Sequence, residues 1–344
     1  MNPIPGLSTA VAAFAGVFAD GPKLQPVRVT SAADVRCRFG DADTETRRAL
    51  DQFFINGGED AWVVRADGDD LLAGVKALDA VDLVNILSVP DMRLLEPAEA
   101  GKILAAARDW CVLRRAFFIA DAREGLTVTE MIRWTEHPAI AAAAGTNVAV
   151  YFPDLVLDGG RAVGPSGTMA GIYARTDKAR GVWKAPAGIE ATVAGAGALA
   201  VRITDRDVNL LAPKRVNCIR SLPAAGIVAW GARTMSENPE WKYVPVRRLM
   251  LFIEESIHRG LQWVVYEANG APLWAAITTS VNDFLLTLWR QGALAGVKAQ
   301  EAFFVRLTPS QLQGDLDIVI GFAPLRPAEF VDLHFKVHAR DDEP

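Results

Sequence analysis

The sequence predicts an α/β chain of two units that ends in a separate strand. Short apolar strand candidates alternate with helical stretches through the first half. The composition changes across residues 158–200, which are rich in Gly and Ala, and a second set of strands and helices follows. Beyond a proline-bracketed stretch, residues 331–338 alternate apolar and polar without a break. A length of 344 residues agrees, at roughly 100–200 residues per domain.

In the first half, residues 11–18 are the first strand candidate, ended by Asp20-Gly21-Pro22. Residues 31–40 and 43–55 read as helices, the second stopped at Asn56-Gly57-Gly58. Strands at 61–65, 84–89, 116–120 and 147–152 are short and apolar, and helices near 70–80, 97–115 and 127–136 separate them. Such alternation argues for parallel βαβ units in a sheet covered on both faces. A helix opens at Ser166. From about 201 onward, 217–222 and 227–231 read as a strand pair and 246–259 as a helix stopped by Gly260. Residues 261–267 read as a strand, followed by the Asn269-Gly270 turn. Ile277, Val281, Phe284, Leu285, Leu288 and Trp289 recur at helical spacing before Gly292. Strands at 301–307 and 315–322 follow.

Composition excludes several classes. Hydrophobic residues make up 51% and charged residues 22%, which argues against wholesale disorder. The net charge is -5 and no long basic run occurs, so a nucleic-acid partner has no electrostatic support. Cys37, Cys111 and Cys218 lie far apart and give neither metal-ligand spacing nor a disulfide framework. The first residues lack the basic and apolar parts of a signal peptide, and no apolar run reaches about 18 residues. The expectation is synthesis in the cytoplasm, with no direct membrane insertion.

At the end of the chain, Pro324 and Pro327 bracket a stretch that is neither helix nor central strand. Val331, Leu333, Phe335 and Val337 then alternate with Asp332, His334, Lys336 and His338, the period of a strand with one buried face. Burying the four apolar side chains gives roughly 6–12 kcal/mol. Ordering the backbone costs about 1–2 kcal/mol per residue. The balance is near zero, so the strand needs a sheet edge. That edge belongs either to its own chain or to a neighbour's.

No catalytic or metal site stands out. His137, His258, His334 and His338 lie near no Cys, Asp or Glu at metal spacing, and a surface or cap role suits each. Residues 166–171 (Ser-Gly-Thr-Met-Ala-Gly) resemble the turn that carries the nucleophile of subtilisin-type proteases, but the serine between Thr168 and Met169 is missing. A triad would have to combine Ser166 with Asp91 and His137. The plainer reading makes Ser166 a helix N-cap. Asp67, Asp69 and Asp70 lack the spacing of a calcium loop, and Asn56-Gly57-Gly58 lacks the Lys of a phosphate loop. No cofactor is implied.

Several strings together are similar to the tail sheath proteins of contractile phages and related injection systems. They are residues 6–14, 52–58 with 61–65, 164–167 with 170–177, Gly181-Val182-Trp183-Lys184-Ala185-Pro186-Ala187, 217–220, 230–234, 241–248, 252–257, 288–296 and 324–330. They span nearly the whole chain in family order. The resemblance implies an outer, subtilisin-like α/β domain over residues 11–200, its first strand a candidate for joining the inner domain. It implies an inner α+β sheath domain over 201–327, a short N-terminal segment over 1–10 and a C-terminal arm over 328–344. It implies a structural protein, not an enzyme: a subunit that polymerises helically around an inner tail tube and contracts, with baseplate and terminal cap proteins as further partners, in a phage tail or tail-like particle. A minor cap or baseplate adaptor on the same fold is the alternative. The resemblance favours an arm that joins a neighbour through Phe330, Val331, Leu333, Phe335 and Val337, and it makes Arg290 and Lys298 candidates to face the tube. It departs at one point. The family usually begins with an extended arm carrying a Pro-Gly-Val-Tyr-Val-Glu-Glu-like string, and only Met1 to Pro5 stand before the first matching segment. The N-terminal half of the interlock is therefore expected to be absent or shortened.

Overall fold

A computed structural model describes residues 2–309, 315–325 and 331–338. The chain divides into two compact units, Ser8–Arg247 and Met1–Leu7 with Arg248–Pro344.

The larger unit holds strands β1 (Ala12–Val17), β2 (Val27–Val29), β3 (Ala61–Ala66), β4 (Ile86–Ser88), β5 (Phe117–Ala120), β6 (Val148–Phe152), β7 (Leu155–Val156), β8 (Ala162–Val163), β9 (Ala198–Leu199), β10 (Val216–Leu222) and β11 (Gly226–Trp230). Its helices are α1 (Ala32–Phe39), α2 (Glu45–Ile55), α3 (Leu71–Ala77), α4 (Pro97–Leu113), α5 (Val128–Glu136), α6 (Pro138–Ala143), α7 (Ser166–Arg180) and α8 (Asp205–Leu211). Eight strands form one sheet in the order β11-β10-β6-β5-β4-β1-β3-β2. The six inner strands run parallel, and β2 and β11 close the two edges antiparallel. β7, β8 and β9 make a small second sheet.

The apolar runs are continuous because the inner strands are buried on both faces. Along β1, Ala13 and Ala15 join a cluster with Val64, Leu71, Val75 and Leu104, the side of α3 and α4. Phe14 points the other way and meets Phe53 of α2 edge-on, with ring centroids 5.5 Å apart. On that side α7 lies close against α2. A Cβ at Gly167 would come within 2.1 Å of the Ala49 carbonyl oxygen, and one at Gly171 within 2.5 Å of that of Phe53. The small residues at the start of α7 are there to permit this approach.

The smaller unit contains the end of α9 (Val244–Gly260), α10 (Ala271–Arg290), α11 (Ala299–Ala302), and strands β12 (Phe303–Pro309), β13 (Asp315–Phe322) and β14 (Val331–His338). The N-terminal segment lies along α9. Leu7 N–H donates to Ser256 Oγ at 3.3 Å, and Gly260 leaves room for Ile4. The three strands pair antiparallel in the order β12-β13-β14. Ile318, Ile320 and Phe322, all buried, lie opposite Leu307, Val305 and Phe303 on one side. On the other side they lie opposite Phe335, Leu333 and Val331. The alternation of residues 331–337 is thus in register with the apolar positions of β13.

The structure differs from the sequence-based expectations in three places. The division between units falls at 247/248, not at 200/201, because the 217–231 strand pair extends the larger sheet through β6 and β10. β1 does not join the smaller unit; it lies between β3 and β4 in the middle of the large sheet. Residues 262–266 form a 3₁₀ turn, not a strand. Their β-branched and aromatic residues suit either state, and Leu261 N–H continues the α9 pattern by donating to Ile257 O at 3.0 Å. In the single chain, β14 takes the edge of β13. The period and the energy balance are compatible with that pairing and with the same pairing on a neighbour's β13.

Candidate assembly surfaces and a buried polar centre

At the C-terminal ends of β1, β4, β5 and β6, a polar centre occupies the place where open α/β sheets commonly bind ligands. Asp121 follows β5 and faces the first turn of α7. Ser166 N–H donates to Asp121 Oδ1 at 2.8 Å and its hydroxyl to Oδ2 at 2.5 Å, while Ser88 donates to Ser166 Oγ at 2.7 Å. Asp91 accepts from Val17 N–H at 2.8 Å and from the Thr46 hydroxyl at 2.5 Å. Arg93, 1% exposed, pairs with Asp154 at 2.6 Å, Glu45 at 3.1 Å and Glu124 at 3.2 Å. Arg48 also pairs with Glu45.

Burial dominates the titration of these groups. It pushes Asp121 up to about 7, against the Ser166 hydrogen bonds and the charge of Arg93, which favour the carboxylate. Burial likewise raises Asp91 and Asp154 above the usual carboxylate range. Burial pulls Arg93 down, but the charges of Asp154, Glu45 and Asp121 outweigh it and hold the guanidinium above its ordinary value.

The arrangement suits a fastener more than a reaction site. Ser166 is fully buried and bonded to Asp121. Asp91 is engaged by Thr46 and Val17, and His137 caps α6 by accepting from Ala139 N–H at 3.3 Å. The candidate triad residues thus spend their polar atoms on three separate structural tasks. Ser166 is not the N-cap of α7 either. Pro165 holds that position, and the carboxylate of Asp121 does the capping from another element. Among the described residues, no group of three or more His, Cys, Asp or Glu side chains could hold a metal ion. Sequence reasoning missed Asp121 and Arg93, whose only signal was a charged residue shortly after an apolar strand.

Two surface features belong to the smaller unit. β12 and β14 form the edges of its sheet, and Val331, Leu333, Phe335 and Val337 stand in β14; Phe330 lies outside the described residues. Arg290 closes α10 and the loop after it carries Lys298, both exposed. Trp289 Nε1 donates to Gly296 O at 3.0 Å, and Glu301 accepts from Val297 N–H at 3.0 Å and Lys298 N–H at 3.3 Å. Val297, unnoticed in the sequence, is 88% exposed on this braced loop.

Comparison with known proteins gives a consistent result. Residues 236–338 match the sequence family described as the phage tail sheath C-terminal domain. A putative prophage major tail sheath protein of Pseudomonas aeruginosa (strain UCBPP-PA14) is 23% identical, over 97% of this chain and 92% of the relative. The contracted sheath complex of the extracellular contractile injection system PVC has a chain with TM-score 0.80 and 28% identity, covering 97% of this chain and 93% of that one. The contracted helical sheath of the anti-feeding prophage (AFP) has a chain with TM-score 0.78 and 32% identity, covering 97% and 94%. The chain belongs to the contractile tail sheath proteins of phage-tail-like injection systems.

Proposed function

We propose that this chain is the repeating subunit of a helical sheath that surrounds an inner tail tube and shortens to drive the tube through a target envelope. The observation that carries this is the 32% identity, over nearly the full length of both chains, to a protein solved as a contracted helical sheath. The role is mechanical. The buried polar centre supports it, since its serine and aspartates are consumed in joining strand ends to α2 and α7.

In this reading β14 is an exchangeable arm. Its pairing with β13 in one chain has the geometry that the same strand would make on a neighbour's β13, with Val331, Leu333, Phe335 and Val337, continued by Phe330, as the interlock. Arg290 and Lys298, exposed at the end of α10, are the proposed tube-facing residues. Baseplate and terminal cap proteins are the proposed end partners, and the finished subunit resides in a tail-like particle after synthesis in the cytoplasm.

Electron microscopy of the chain co-expressed with its tube and baseplate proteins tests the proposal. A helical sheath with many copies per particle is expected. Failure to form one under any condition would overturn it, and a few copies at one end would assign the chain to a cap or adaptor instead.

A further inference from the structure

The dipeptide Asn-Gly occurs twice in the chain, at 56–57 and at 269–270. It is a chemically weak point. The amide nitrogen after an asparagine can attack the side-chain carbonyl carbon, and a glycine there brings no side chain to shield it. The structure treats the two sites in opposite ways.

Asn56 is fully buried. Its Nδ2 donates to Gln52 O at 2.9 Å and to Ala194 O at 3.1 Å, and its Oδ1 accepts from Ala194 N–H at 2.9 Å. The next amide, Gly57 N–H, donates to Phe54 O at 3.2 Å. Nucleophile and leaving group are both held, and burial keeps water out.

Asn269 is exposed, and Gly270 leads into α10 in extended backbone, with φ -175°. Among the described residues, neither Gly270 N–H nor Asn269 Nδ2 has an acceptor. The bond made at this site runs the other way: Trp274 Nε1 donates to Asn269 Oδ1 at 2.8 Å. That donor polarises the side-chain carbonyl and faces the oxygen on which negative charge builds during attack.

We propose that Asn269 is a site of self-modification, converting to aspartate and isoaspartate, with Trp274 stabilising the addition. The Gly270 nitrogen bonds to Asn269 Cγ and gives up its proton to solvent. The Cγ–Nδ2 bond breaks, ammonia leaves with a proton from solvent, and a five-membered succinimide remains. Water then opens the ring. Cleavage of the new N–Cγ bond gives aspartate, and cleavage of the bond to the main-chain carbonyl gives isoaspartate. The sum is water consumed and ammonia released, with nothing oxidised or reduced. Each conversion adds a negative charge to a chain whose net charge is -5. The charge falls just before α10, where the helix dipole favours it, so the aspartate product keeps the fold. This chemistry is independent of the sheath reading.

The test holds the folded full chain in mildly alkaline buffer and maps its peptides by mass spectrometry, with enzymatic methylation to mark isoaspartate. Position 269 should convert with time while Asn56 stays an amide, and in urea both should convert. Gly270→Ala should slow conversion at 269 about tenfold or more. A Cβ there meets only Pro272 Cδ, at 3.7 Å, so this variant should fold as wild type does. Trp274→Phe should slow conversion about two- to tenfold, the range of one hydrogen bond. A bond that merely kept the side chain still would give the reverse, faster conversion on its loss. Asn269 remaining an amide in the folded chain, while the urea-unfolded chain converts, would overturn the proposal. Conversion in Trp274→Phe as fast as in wild type, or faster, would overturn the part given to Trp274.

Discussion

Asp121 grips the first residue of α7 twice, taking the Ser166 amide on one carboxylate oxygen and the Ser166 hydroxyl on the other. The folded chain holds a proton on Asp121 up to about pH 7, whereas the ordinary value is 3.8. The stability this group contributes is therefore fully present below about pH 4 and is lost as pH rises through 7. Asp91 and Asp154 are raised too and act in the same direction. Denaturant titrations should show the larger unit losing stability from about pH 4 to about pH 7, and Asp121→Asn should flatten that decline. An unchanged slope in the variant would refute the assignment.

Arg93 is the only counter-charge within bonding distance of Asp154 among the described residues, and it shares Glu45 with Arg48. Replacing it with Leu leaves the buried Asp154 carboxylate without its partner and should cost about 3–5 kcal/mol in urea unfolding. Arg93→Lys should recover only part of this, because an ammonium cannot bridge three carboxylates with a planar fork.

Gly167 and Gly171 set the spacing of α7 against α2. Gly167→Ala or Gly171→Ala forces a methyl onto backbone and should destabilise the chain by about 1–3 kcal/mol, seen as a lower melting temperature. The same stripe of small residues made 166–171 look like a nucleophile turn, and the packing is its cause.

Ser166→Ala should cost about 1–3 kcal/mol by leaving Asp121 Oδ2 without its donor. It should leave any ester or peptide turnover of a preparation unchanged, because the native hydroxyl is sealed from solvent. A serine-directed phosphonate probe should not label the folded wild-type chain.

Deletion of residues 328–344 should leave a soluble, folded monomer that no longer polymerises, measured by circular dichroism and sedimentation. An insoluble product would show that β14 is needed by its own subunit, since β13 would then present a bare edge above Ile318 and Ile320.

Much of the large sheet is legible because its inner strands are buried on both faces, so 61–64, 116–120 and 148–152 read as unbroken apolar runs between helical stretches. The register of β14 is equally legible from its period of two. The unit boundary was not, because the β10–β11 hairpin looks the same whether it extends the first sheet or starts a second. The 262–266 turn was hidden by residues whose β preference yields to the helix before them. The polar centre was hidden because Arg93, Asp121 and Asp154 lie far apart in sequence, and only the parallel strand order brings their ends together.

The eight residue pairs between β13 and β14 have a kinetic consequence for any arm exchange. A subunit that closes its own sheet carries a built-in competitor for its neighbour's strand. Swapping one for the other breaks as many ladder bonds as it makes, so the swap itself gains little free energy. A stock of free subunits can then stay dormant at high concentration, each stoppered by its own tail. Growth would begin only where a template offers an edge whose own strand is already engaged elsewhere.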